Sequence, residues 1–152
     1  MSLIIAIGSN LDQPLENLRQ ARQVLSSKFT LIGESRVYRS AAVDYEAQPD
    51  FFNQVLEFQI PDISPDDTMT WLLDAEKTMG RVRDVSRGPR TIDMDIILWG
   101  IETHHTKLVD IPHLRWLERS FVIRPIQELP FFKTIEKCFT IPESFKVEAF
   151  PI

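Results

Sequence analysis

The residues best suited to chemistry lie between Arg81 and Asp95. Four arginines, Arg81, Arg83, Arg87 and Arg90, precede Asp93 and Asp95, and the core reads Gly88-Pro89-Arg90-Thr91-Ile92-Asp93-Met94-Asp95. In an extended chain, side chains two apart share a face, so the two carboxylates project together about 7 Å apart. Like charges repel and Asp forms strands poorly, so something positive must compensate. A hard divalent cation such as Mg2+ takes one or two carboxylates together with phosphate oxygens and water. Guanidinium groups match phosphate geometry. The combination suits a metal–nucleotide site, in which carboxylates hold the ion and arginines hold phosphate and stabilise the charge of its transfer. The same residues also fit a solvated strand face with arginine surface partners, and spacing alone leaves both readings open. The chain has no Gly-x-x-x-x-Gly-Lys-Ser/Thr run, which argues against a P-loop nucleotidase.

Other segments carry weaker signals. Gln48-Pro49-Asp50-Phe51-Phe52-Asn53 sets aromatic rings beside an amide. Phe51 and Asn53 share a face and suit a flat heterocycle with donors and acceptors on its edge, whereas Phe52 points into the opposite layer. A turn leading into a core strand explains the same residues. His113, after Pro112 and ahead of Arg115 and Arg119, suits phosphate contact or a structural role. His104-His105 reads as a solvated strand end. Cys138 reads as structural, and Trp71 and Trp99 as core.

The elements that must position these groups follow from periodicity. Leu3 to Ile7 is a strand apolar on both faces, hence central, and Gly8-Ser9-Asn10 ends it. Pro14 opens a helix to Ser26 with Leu15, Leu18, Ala21, Val24 and Leu25 inward. Phe29 to Tyr38 and Phe51 to Ile60 are strands separated by a loop. Ser64 or Asp66 caps a helix that runs to Met79, and Gly80 stops it. Arg81 to Pro89 is a polar, basic loop without a period. In the strand Ile92 to Trp99, the residues Ile92, Met94, Ile96 and Leu98 face a core, opposite to Asp93, Asp95, Ile97 and Trp99. A strand at His104 to Val109, a short helix at Leu114 to Glu118, an apolar segment Phe121 to Ile126 leading to a loop at Pro130, and a strand at Lys146 to Phe150 complete the chain. The order β-α-β-β-α-β implies an α+β fold, a mostly antiparallel sheet covered by helices.

Composition narrows the class. The 152 residues suit one domain spanning 1–152, with 43% hydrophobic and 26% charged residues as in soluble globular proteins. A formal net charge of −5 argues against a nucleic-acid partner. No segment approaches the roughly 18 apolar residues of a membrane span, and the short apolar start lacks the basic leader of a signal peptide. The single cysteine excludes an internal disulfide and fits a cytoplasmic location. A monomer is the default expectation.

Together these segments resemble the 6-hydroxymethyl-7,8-dihydropterin pyrophosphokinase family of folate biosynthesis. The resemblance rests on Ala6-Ile7-Gly8-Ser9-Asn10-Leu11, Gln48 to Asn53, Gly80 to Arg83, Gly88 to Asp95, Ile111-Pro112-His113 and Arg119 to Val122. It implies a ferredoxin-like-related three-layer αβα sandwich that moves pyrophosphate from ATP to the pterin hydroxymethyl group and leaves AMP. It implies two Mg2+ ions on Asp93 and Asp95, one bridging the α- and β-phosphates and one the β- and γ-phosphates. Arg81 and Arg90 would contact phosphate and stabilise the transition state. Glu76, Arg83, Arg87, Ile96, His113 and Arg119 would serve the nucleotide. The pterin would lie between Phe51 and Phe121, read by Asn53, with Gly8, Ser40, Ala41 and Val43 completing its pocket. Loops at Ser9–Gln13, Arg39–Pro49 and Val82–Pro89 would close over the substrates.

The chain departs from the usual pattern in three places. Ser86-Arg87 replaces Arg-Trp, Ser40-Ala41-Ala42-Val43-Asp44 stands where Thr-x-Pro-x-Gly is common, and Phe51 stands where some members carry Tyr. Two other classes use the same residues. A metal-dependent phosphohydrolase or nucleotidyltransferase would act without pterin, and a non-enzymatic ferredoxin-like binding module would leave Asp93 and Asp95 as surface groups.

Overall fold

A computed structural model describes residues 1–42, 48–80 and 92–152. Strand β1, Ser2–Ser9, is buried nearly throughout because both of its faces are covered. Helix α1, Pro14–Lys28, starts on its proline and buries Asn17, Leu18, Ala21 and Leu25. Leu15 was expected inward, but it falls off the edge of that stripe and is exposed. Asn17 takes an inward place for a polar reason. Its Nδ2 donates to Ser9 Oγ (3.1 Å), Leu11 O (2.7 Å) and Asp12 O (3.3 Å), holding a loop in which Asp12 and Gln13 both have positive φ. Asn17→Ala is expected to lower stability by about 2 kcal/mol, read as a shifted urea midpoint with an unchanged m-value.

The expected strand over 29–38 divides into β2, Leu31–Glu34, and β3, Tyr38–Ser40. Both pair with β4, Phe51–Gln59, β2 at Leu56–Phe58 and β3 at Phe51–Asn53. Buried Ser35 makes the break. Its hydroxyl accepts from Val55 N at 3.0 Å and its carbonyl from Gln54 Nε2 at 2.6 Å, so side chains replace ladder bonds there. Helix α2, Pro65–Thr78, is capped by Ser64, whose side chain accepts from Asp67 N, and Gly80 at φ +89° follows its end.

Strand β5 is Asp93–Trp99. The single strand expected at 104–109 is a small hairpin, β6 His104–His105 with β7 Asp110–Ile111. Leu114 to Glu118 forms turns rather than a helix, with Trp116 N and Glu118 N bonded to carbonyls only three residues back. The apolar segment after Arg119 is helix α3, Ser120–Ile126, and a further helix, α4, Phe132–Cys138, was not anticipated. The last strand is β8, Ala149–Pro151, shorter than expected.

The main sheet runs β5-β1-β4-β3-β8 with β2 also on β4, and every pairing among the described residues is antiparallel. Without β8 this is the strand order of a ferredoxin-like βαββαβ unit. One face packs Leu3, Ile5, Ile7, Leu56, Phe58, Met94 and Ile96 against α1 and α2. The other packs Ile4, Val55, Ile97 and Leu98 against Trp116, α3 and α4. The result is the expected three-layer αβα sandwich.

One strand breaks the simple alternation. Ile5 pairs with Ile96 but Ile4 with Leu98, so Ile97 is an extra residue in β5. Beyond it the faces exchange: Leu98 packs on the α3 side and Trp99 on the α1 side, the reverse of the expectation from period two. Asp93 and Asp95 lie before the bulge and keep their shared face.

Candidate active site

The cleft is built on the sheet face that α3 covers only in part. In the register, Ala6 of β1 lies beside Asp95, and Gly8 lies between Asp93 on β5 and Asn53 on β4. The central strand therefore contributes its smallest side chains as a floor, and the larger groups on either side become walls. Asp93, Asp95, Phe51, Asn53, Gln48, Ser40, Ala41, Arg119, Phe121 and Val122 line the space, an open cleft. Phe51 and Asn53 share this face, and Phe52 turns to the α1 side. Asn10 anchors the rim, with Nδ2 donating to Gln48 Oε1 (2.8 Å) and to Pro49 O (3.1 Å).

The acidic end is electrostatically loaded. The Asp95 carboxyl is pushed up to about 8, first by burial and then by the charges of Asp93 and Glu76, with a hydrogen bond that its protonated form donates to the Asp93 carboxylate acting the same way. Arg119 opposes that shift and lies 5.5 Å over the Phe121 ring. His113 is held below the ordinary imidazole range, first by burial and then by Arg119, while Asp93 works against that shift. Its Nδ1 accepts from Arg115 N at 3.2 Å. Glu76, on α2, is almost fully buried.

A second cavity adjoins the first through Asp95. Met69, Ile96, Lys107, Leu108, Asp110, His113 and Leu114 are among its lining residues. Ile96 and His113 therefore sit together on the far side of the carboxylates from Phe51 and Asn53. Met69, Lys107, Leu108 and Leu114 escaped the sequence reading. The only available signal was two exposed leucines, Leu108 and Leu114, flanking a histidine. Val43, Arg81, Arg83, Arg87 and Arg90 lie outside the described residues.

The donor set fits Mg2+. Two carboxylates, one resisting ionisation beside the other, call for a cation, and oxygen ligands suit a hard one. Among the described residues no three or more His, Cys, Asp or Glu groups converge to cage an ion. Two carboxylates holding an ion would leave positions for phosphate oxygens and water, which is how Mg2+ is usually held at phosphate sites.

An α+β sandwich that brings a carboxylate pair, a guanidinium and two phenyl rings to one cleft has the architecture of a small-molecule phosphotransferase. The chain matches the model of the family described as 7,8-dihydro-6-hydroxymethylpterin-pyrophosphokinase over residues 4–130, and it belongs to that family. It is 37% identical over 127 residues to a 2-amino-4-hydroxy-6-hydroxymethyldihydropteridine pyrophosphokinase of Haemophilus influenzae, covering 82% of this chain and 79% of that protein. The protein of the same name from Bacillus subtilis is 35% identical over 127 residues, covering 82% and 75%. The Folic acid synthesis protein fol1 of Pneumocystis carinii is 33% identical over 129 residues, which is 84% of this chain but 17% of that much longer protein. The family assigns pyrophosphokinase activity in folate biosynthesis.

Proposed function

We propose that this chain transfers pyrophosphate from ATP to the hydroxymethyl group of 6-hydroxymethyl-7,8-dihydropterin, with two Mg2+ ions held by Asp93 and Asp95. The substrate oxygen bonds to the β-phosphorus as the bond from that phosphorus to the α-phosphate oxygen breaks. AMP leaves, and the hydroxyl proton passes to solvent. The observation that carries this reading is the carboxylate pair lying in one cleft with Phe51, Asn53 and Phe121. Bound magnesium would neutralise phosphate charge and lower the pKa of the attacking hydroxyl.

The chain's own groups do the rest by position. Phe51 and Phe121 hold the flat ring, and Asn53 bonds its edge. Gly8 leaves that amide its space, Ser40 and Ala41 complete the pocket, and Val43 is assigned to it on the resemblance alone. Ile96 and His113 line the nucleotide side of Asp95, with Leu108 and Leu114 bordering the same cavity. Arg119 faces the carboxylates and offers charge to phosphate. Buried Glu76 acts through its field on Asp95. Arg81, Arg83, Arg87 and Arg90 are assigned to phosphate and nucleotide on the resemblance of their motif. No side chain is assigned as general base, because positioning and charge neutralisation suffice for this transfer.

We assign one pyrophosphokinase domain to residues 1–152, acting as a cytoplasmic monomer on small molecules, with no nucleic-acid or membrane partner. The net charge of −5 argues against a nucleic-acid partner, and among the described residues no helix is long and apolar enough to cross a membrane. The test is one assay. Protein, ATP, Mg2+ and the pterin are expected to yield AMP and pterin diphosphate only when all are present. Phosphate or nucleotidyl products without pterin would transfer the site to another chemistry. A folded protein with no turnover would leave it a binding module.

A further inference from the structure

Two walls of the cleft rest on very short elements. Ser40 and Ala41 come from the end of the three-residue β3, and Phe121 and Val122 from the seven-residue α3, which contains Pro125. Neither a strand nor a helix of that length is held in place by its own hydrogen bonds. The structure ties them together through β8. On one side β8 adds a strand to β3, pairing Ser40 with Ala149, Arg39 with Phe150 and Tyr38 with Pro151, and Ile152 N donates to Val37 O at 3.1 Å. On the other side it is fastened to α3. Glu148 N donates to Ser120 Oγ at 2.9 Å, and Arg124 donates from Nη1 to Ala149 O at 2.5 Å. The Arg124 guanidinium also lies 5.4 Å over the Tyr38 ring and 5.8 Å over Phe150, so it touches β3 and β8 at once. Ser120 and Ala149 are both buried, so each tie has one end inside the protein.

The family match ends at residue 130, and β8 lies after it. We propose that β8 is a positioning element for pterin recognition: it sets the separation between the wall that carries Phe121 and the wall that carries Ser40 and Ala41, and Ser120 is the residue through which it holds Phe121. A flat ring needs close contact on both faces, and dispersion falls steeply when a gap opens by even part of an ångström. β8 lies at the opposite edge of the sheet from β5, which carries Asp93 and Asp95. Its loss should weaken ring binding equally in the ground and transition states, which raises KM for the pterin and leaves kcat alone.

This inference rests on the proposed reading that the cleft takes a pterin, and the experiment separates the two. Ser120→Ala removes the acceptor of Glu148 N while keeping the helix. It is expected to raise KM for the pterin about tenfold, the order of one lost hydrogen bond, with KM for ATP and saturating kcat within about twofold of the parent. A chain stopped after Val147 should move the same parameter further in the same direction. If that shorter chain does not fold, Ser120→Ala decides alone. An unchanged pterin KM in Ser120→Ala, or equal losses for pterin, ATP and kcat, would overturn the positioning role while the parent's activity keeps the functional reading intact. A parent protein that forms no AMP with pterin would remove that reading, and this inference with it.

Discussion

Asp95→Asn is expected to reduce kcat for pyrophosphate transfer by about a thousandfold and, at the same time, to stabilise the ligand-free protein above neutral pH. The two effects share one cause. Burial and the neighbouring charges of Asp93 and Glu76 lift the Asp95 carboxyl from its ordinary 3.8 to about 8. A carboxyl whose folded value lies above its unfolded value binds its proton more tightly in the folded state. Its stabilising contribution is complete below about pH 4 and is lost as pH rises towards 8. The ligand-free wild type should therefore lose stability across that window, and the neutral amide of Asp95→Asn should not. Magnesium with ATP reverses the order. A cation favours the charged carboxylate, so added Mg2+ and ATP should raise the wild-type melting temperature more at pH 8 than at pH 5, and raise that of the variant little at either. Thermal scans of both proteins across this range, with and without Mg2+ and ATP, together with the AMP assay, test the point. A variant that turns over near the wild-type rate would end the assignment of Asp95 as a metal ligand. A variant less stable than the wild type at pH 8 would show that Asp95 is a structural partner rather than a strained one.

The pattern of what could be read from sequence follows from the range of each interaction. The shared face of Asp93 and Asp95 was legible because strand alternation is local, and so were α2, with its cap narrowed to Ser64 or Asp66, and the central placement of β1. The exchange of Leu98 and Trp99 was not, because the bulge at Ile97 exists only in the register of β5 against β1. The division of β2 from β3 was hidden for the same reason: Ser35 replaces ladder bonds on β4, a strand some twenty residues away. In the site, Phe51 and Asn53 were legible as a face. Their placement across Gly8 from the carboxylates required the sheet order. The second cavity was the least legible part. Its lining comes from α2, β5, the β6–β7 hairpin and the turns after it, and no periodicity links Met69 to Lys107 or Leu114. The tie from Ser120 to β8 spans 28 residues and has no local signature at all. The identity of the heterocycle came from the family motif, since two phenyl rings and an amide specify a flat polar ring and no more.

Gly8 and Asn53 give the sharpest test of the pterin side, because the register makes them a single device. A Cβ built on Gly8 would lie 2.5 Å from Asn53 Oδ1, closer than any real contact, with Phe52 O at 3.7 Å behind it. The obstacle is the Asn53 amide itself, whose Nδ2 reaches Ser40 Oγ at 3.5 Å. Backbone conformation is no obstacle, since Gly8 lies in an ordinary strand. Gly8→Ala should therefore act by driving the Asn53 amide away from the ring edge it reads. We expect kcat/KM for the pterin to fall about a hundredfold in Gly8→Ala, and by a similar factor in Asn53→Ala, because each leaves polar edges of the bound ring unpaired in a desolvated cleft. The double variant distinguishes this from two separate injuries. Once Asn53 is truncated, the clashing amide is gone and Phe52 O stands at an ordinary contact distance of 3.7 Å, so the pair should cost no more than Asn53→Ala alone. KM for ATP should stay within about twofold in all three proteins, since the cavity proposed for the nucleotide is lined by other residues. Losses that multiply in the double variant would mean that Gly8 serves the cleft floor independently of Asn53, and the register between β1 and β4 would then not be what places the amide against its substrate.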